Sequence, residues 1–246
     1  MRLLFLNPNT SAALTQRGAE LARRVARPDT EIVSATARFG ARYIATRAAA
    51  AIAGHAALDA FAHAQDGCDA VLLACFGDPG LLALRELAPV PVVGMAEASC
   101  HAAAALGGKF AIVTGGERWR PMLEECVAAF GLSSRLAAVR TTAPSGGEIA
   151  ADPDAALPAL IGACVAAAAD GAEVVILGGL GLAGLADAIK PRVPIPVIDS
   201  LVAGVLAAEA AALLRPRRAE QGSFAPAAAT ETVGLSPALG ARLAGG

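Results

Sequence analysis

The chain has 246 residues, a formal net charge of −2, 55% hydrophobic residues and a mean hydropathy of +0.55. That length suits one large α/β domain or two small ones around a sizeable core. The small net charge and the absence of basic clusters argue against nucleic acid or anionic lipid as partners, and no run of about 18 apolar residues is free of charge, Gly or Pro, which argues against a membrane span.

The opening MRLLFLNPNTS carries an apolar run too short for a secretory leader and reads as a first strand over 2–6. A helix is predicted over 10–26, a strand over 31–35 and a long Ala-rich helix over 46–66. The apolar run 70–74 follows, then a helix over 79–86, a strand over 90–94 and a helix over 96–106. The same alternation continues with strands at 109–113, 135–140, 173–177 and 196–198, and helices at 119–130, 153–170, 182–190 and 200–213. Residues 215–232 read as a mobile connection, and a last short helix is expected from Ser236-Pro237, where Pro suits a first turn. Strands alternating with helices predict βαβ units and a parallel sheet.

The two halves of this pattern repeat. The stretch from Asp69, DAVLLACFGDPGLLALRELAPVPVVGMAEA, matches the one from Ala172, AEVVILGGLGLAGLADAIKPRVPIPVIDSL. Each reads as strand, small-residue turn, short helix, P-x-P-V strand and helix. LLFLNPNTS likewise matches KFAIVTGGER. The expected fold is α/β, two pseudo-symmetric Rossmann-like parallel-sheet halves with the active site in the cleft between them, because ligands bind beyond the C-terminal ends of parallel strands.

The polar turns all fall at such ends. Asn7-Pro8-Asn9-Thr10-Ser11 is a helix cap or an anion and carbonyl site at a helix start. Cys75 ends a buried strand and precedes Phe76-Gly77-Asp78-Pro79-Gly80. It is either a small core residue or an acid/base thiol whose pKa the following helix start lowers. Thr114-Gly115-Gly116 offers a hydroxyl and bare amides, and Gly178-Gly179 permits close backbone approach. Glu97 and His101, four apart on one helix face, form either a stabilising pair or an auxiliary base. Asp199 is expected to cap the helix after it. Cys100, Cys126 and Cys164 read as core. Five cysteines without a CxxC, and only three His, point away from a disulfide framework or a structural zinc site and towards a reduced, cytoplasmic chain. No P-loop Lys is present, so nucleotide is discounted.

Taken in order, N-P-N-T-S from Asn7, the strand ending at Cys75, PVVGMAEASCHAAAALGGKFAIVTG, VVILGGLGLAGL, VPIPVIDS and GLSPAL from Gly234 resemble the aspartate/glutamate/hydantoin racemase superfamily, and most of all its hydantoin and allantoin racemase branch. The resemblance implies a first half of 1–95 plus 205–246 and a second of 96–204. It implies a homo-oligomer acting on a small molecule (a hydantoin, an amino acid or a related carboxylate) without metal or cofactor. Cys75 is then the catalytic acid/base. Asn7, Asn9, Thr10, Thr114, Gly115, Gly179 and the amides of Phe76 and Gly77 bind substrate, with His101 as a possible auxiliary. Hydantoin-type racemases place one thiol on each side of the reacting carbon. Here Gly179 occupies the second position. The expected activity is racemisation beside a carbonyl. The alternatives are a one-cysteine lyase like arylmalonate decarboxylase, which keeps one of the two thiols, and a non-catalytic binding protein.

Overall fold

The structure is a computed structural model that describes residues 1–64, 67–226 and 228–245. Two four-stranded parallel sheets form from β1 (Arg2–Asn7), α1 (Ala12–Val25), β2 (Glu31–Thr36), α2 (Arg47–Ala64), β3 (Ala70–Leu73), α3 (Leu81–Leu87) and β4 (Val92–Gly94), and then from α4 (Met95–Leu106), β5 (Phe110–Gly115), α5 (Trp119–Ala129), β6 (Leu136–Thr142), α6 (Gly146–Ala151), α7 (Pro153–Ala169), β7 (Val174–Leu177), α8 (Ala186–Ile189) and β8 (Val197–Asp199). Helices α9 (Ser200–Leu213) and α10 (Pro237–Leu243) complete the chain.

The strand orders are β2-β1-β3-β4 and β6-β5-β7-β8. The same order twice is the pseudo-symmetry expected from the repeat. The central strands explain it: every residue of β3 (AVLL) and β7 (VVIL) is buried, as strands covered on both faces must be. Each fully buried Leu or Val there contributes roughly 1.5–3 kcal/mol of transfer free energy.

The two halves exchange a helix. α4 leaves the first sheet and packs against β5, β7 and β8, while α9 leaves the second sheet and packs against β3, β4 and α1. The two helices also pack on each other. The largest apolar cluster therefore runs from Leu3 and Phe5 through Met95 and Phe110 to Ile176 and Val205, across both sheets. α10 lies on α2, which returns the C-terminal segment to the first half. Because α9 begins at Ser200, the expected boundary between 204 and 205 would cut a continuous helix.

The helix expected over 182–190 is broken: a 3₁₀ turn spans Leu180–Leu182 and α8 only Ala186–Ile189, with Gly184 at φ +87° between them. Helix α6 was not expected from periodicity. Its signal is the capping box Ser145-x-x-Glu148, in which Glu148 N–H donates to Ser145 Oγ (3.3 Å) and Ser145 N–H to Glu148 Oε2 (2.8 Å). The last two residues of the helix expected over 46–66, and residue 227 of the connection expected over 215–232, lie outside the described residues.

Candidate active site

The C-terminal ends of β1, β3, β5 and β7 converge on one cleft. It is lined by Asn9, Cys75, Phe76, Thr114 and Gly179, together with Leu14, Tyr43, Ile44, Trp119 and the 180–182 turn. It encloses about 50 Å³, so a small ligand fills it. Cys75 and Tyr43 are the only side chains with titratable protons that line it among the described residues.

Asn9 is held by its neighbours. Its Oδ1 accepts from Ser11 N–H (2.9 Å) and from Asn7 Nδ2 (3.0 Å). Since a backbone N–H can only donate, the amide is oriented with its Nδ2 donors turned away from these bonds and available to the cleft. Asn7 is fully buried behind it, also donating to Thr15 Oγ1 (2.9 Å). It supports the site and does not line it, contrary to the sequence expectation.

Cys75 sits two residues past the end of β3, buried, in a tight turn closed by Asp78 N–H donating to Cys75 O (3.1 Å). The amides of Phe76 and Gly77 in this turn have no acceptor among the described residues. Burial, reinforced by Asp78 and Cys126, pushes the thiol well above the ordinary thiol range. The expectation of a lowered pKa fails for two reasons: the site is desolvated, and the next helix begins at Leu81, too far along the chain to place its N-terminus at the sulfur.

Opposite, Gly178 and Gly179 end β7. A Cβ on Gly178 would lie 2.4 Å from the Phe76 ring, so only glycine lets the Cys75 turn approach this strand. Gly179 has φ +121°, and its N–H donates to Ser200 Oγ (3.2 Å). Asp199 caps α9 as expected, accepting from Leu201 N–H (2.9 Å) and also from Gly184 N–H (2.6 Å).

Several expected residues fall elsewhere. Thr10 N–H donates to Ala41 O (3.1 Å), fastening the loop after β2. Gly77 O accepts from the Cys126 thiol (3.6 Å), which makes Cys126 a half-buried neighbour of the Cys75 turn and not core; burial pushes its pKa up to about 11. Gly115 is packed against Pro144 O and Ile149, and its carbonyl accepts from Tyr43 Oη (3.2 Å). His101 is exposed on α4 and away from the cleft. Glu97 pairs with Arg85 (Nη1 to Oε1, 3.1 Å) and not with His101.

Sequence reasoning missed Tyr43, Ile44 and Trp119. Tyr43 accepts from Trp119 Nε1 (3.2 Å) and from Gly146 N–H (3.2 Å), so one phenol from the first half ties together three elements of the second. Its signal was only that it is the sole tyrosine of the chain, set in a loop without periodicity.

Asp78 was also missed. It is a buried non-glycine residue at φ +47° whose two oxygens accept from Ala96 N–H (3.0 Å) and Glu97 N–H (2.8 Å), capping α4 across the junction. Burial pushes its carboxyl up to about 7, with Glu97 adding to this and the two amides and Arg85 opposing it. The folded pKa exceeds the unfolded 3.8, so the native state holds the extra proton between these values. Stability is then greatest at the acid end of this window and falls as pH rises through about 7. We expect the Tm of the protein to drop between pH 5 and pH 8 by roughly 5 °C more than that of Asp78→Asn, which keeps an acceptor and tolerates positive φ. Parallel melting curves for the two proteins would disprove this.

Comparison with known proteins places this geometry. The profile described as Asp/Glu/Hydantoin racemase matches residues 3–208. A hydantoin racemase of Pseudomonas sp. (strain NS671) is 36% identical over 211 residues, 85% of either chain. The crystal structure of allantoin racemase from Pseudomonas fluorescens has a TM-score of 0.91 at 36% identity, covering 95% of this chain and 100% of that one. Arylmalonate decarboxylase, at 20% identity and TM-score 0.59 over 86% of this chain and 92% of its own, shares the fold. With its duplicated sheet order and its sequence matched over residues 3–208, the chain belongs to the Asp/Glu/hydantoin racemase family and is a racemase-type isomerase.

Proposed function

We propose that the protein racemises 5-substituted hydantoins or closely related cyclic ureides, with Cys75 as acid and base on one face of C5. The observation that carries this is the buried Cys75 thiol at the end of β3, facing a cleft lined by hydrogen-bond donors and, among the described residues, by no other thiol. The proton on C5 lies beside a ring carbonyl, and its removal moves charge onto that oxygen as an enolate. Donors preset around the oxygen lower the barrier because they need not reorganise. Asn9 Nδ2, the Thr114 hydroxyl and the free amides of Phe76 and Gly77 are the groups of this chain suited to that task.

Proton removal requires the thiolate, which burial disfavours. The carbanion is reprotonated either by the Cys75 thiol, giving back the starting hand, or by water on the Gly179 side, giving the mirror image, after which the Cys75 thiol gives its proton to the hydroxide left behind. The substrate class rests on the hydantoin and allantoin racemases the chain is similar to. Its five free cysteines suit a reducing compartment such as the cytoplasm. Among the described residues no helix is long and apolar enough to cross a membrane.

One observation favours a second reading. Burial keeps Cys75 in its thiol form, ready to protonate a carbanion without first removing a proton. That form suits decarboxylation of a malonate, where loss of carbon dioxide supplies the carbanion. Proton NMR in D₂O with hydantoins, amino acids and aryl malonates separates the two. Loss of the C5 proton signal from a hydantoin is the expected result. Carbon dioxide release from a malonate alone would favour the second reading, and binding without either reaction would overturn both.

A further inference from the structure

The cleft continues outward. Its walls Leu14 and Tyr43 also bound a neighbouring concavity between α1, the loop after β2 and α6, where Arg17 and Arg42 face the space beside Gly147. No acidic side chain lines it among the described residues. We propose that this vestibule binds a carboxylate at the end of the substrate's C5 substituent, with Arg17 and Arg42 as the specificity-determining pair. The favoured substrates are then hydantoins whose side chain is a short apolar stem ending in a negative charge. This rests on the hydantoin reading above and names its substrate class more narrowly.

Geometry and charge carry the argument. The inner cleft is small, so a ring held at Cys75 fills it, and Leu14 and Tyr43 line both this cleft and the concavity beside it, into which a substituent can extend. Those two side chains suit a methylene stem. Arg17 is half-buried, and its Nη1 donates to Ala150 O (2.8 Å), which fixes the guanidinium at the seam of the two halves and leaves its other N–H donors unused. Arg42 is exposed and makes no hydrogen bond or ion pair among the described residues. Carboxylates nearby in the chain are engaged elsewhere: Glu148 accepts from Ser145 N–H, and Glu20 accepts from Gln16 Nε2 (3.2 Å). Two guanidinium groups without an internal counter-ion, beside an apolar neck, match a carboxylate through charge-assisted hydrogen bonds.

Binding tests this without turnover. In the Cys75→Ala background, the affinities of 5-(2-carboxyethyl)hydantoin and its neutral isostere 5-(2-carbamoylethyl)hydantoin are measured by calorimetry and by fluorescence of Trp119, the sole tryptophan, which lines the cleft. The anionic ligand is expected to bind about tenfold more tightly at low salt. That preference should vanish with Arg42→Gln and shrink at high ionic strength. Equal affinities, or a preference that Arg42→Gln leaves intact, would overturn the proposal while the hydantoin reading stands. If neither hydantoin binds but glutarate binds in an Arg42-dependent way, the vestibule stands and the hydantoin reading falls. Binding of none of the three overturns both.

Discussion

Cys75→Ala is expected to lower racemisation by about 10²–10⁴-fold, the usual contribution of a positioned proton-transfer group. The remaining rate would come from the donors around the enolate oxygen, which the substitution leaves in place. The fold should survive. The new methyl is smaller than the thiol it replaces, and the turn is held by the Asp78 amide and not by the sulfur. A melting temperature within a few degrees of the parent, with turnover lost, is the expected pair of results. Alkylation should tell the same story from the other side: protection of Cys75 by substrate, and loss of activity in step with its modification. A Cys75→Ala protein that racemises a verified substrate at the parental rate would remove the thiol from the mechanism.

The second large effect is expected from Gly179→Cys. With Cys75 alone, one face of the reacting carbon meets a thiol and the other meets a glycine backbone, so α-deuteration in D₂O should run ahead of loss of optical rotation. A thiol at 179 would serve the second face. There is room for it: a Cβ there would sit 3.7 Å from Thr114 Oγ1 and 3.8 Å from Leu182 Cδ1, both ordinary contacts. The backbone resists it, since φ +121° is unfavourable for an L side chain and costs about 1–3 kcal/mol. The variant should therefore melt several degrees lower yet invert its substrate about 10²-fold faster relative to exchange. The ratio of deuteration to loss of rotation, measured for both proteins, decides. A parental ratio already near that of a two-base racemase would mean that a second proton carrier is present. Tyr43 is then the residue to replace, being the other side chain with a titratable proton in the cleft among the described residues, whereas His101 lies outside it.

The architecture was legible because a duplicated βαβ pattern repeats its apolar runs. VLL before Cys75 and VIL before Gly178 announce equivalent central strands, and their ends had to face one cleft. Polar turns were harder to resolve. Asn7 and Asn9 are equally visible in N-P-N-T-S, yet only the second reaches the cleft, because the first points inward to Thr15 and Ser11. The direction of the Cys75 shift was misjudged because desolvation comes from residues distant in sequence. Tyr43 and Trp119 were invisible for the same reason: their roles exist only once the loop after β2 crosses to the second half.

The exchanged helices α4 and α9 carry a consequence for how a substrate gets in. Each sheet is roofed by a helix that the other half's chain delivers, and the two helices are packed against each other at the seam. Peeling the halves apart would uncover apolar faces such as β3 and β7 together, a penalty far beyond what binding a small ring returns. The chain is thus one cooperative block with a fixed back wall. Access to Cys75 must then come from the front, where the 37–46 loop is held to the second half through Tyr43 and to the Asn9 turn through Thr10.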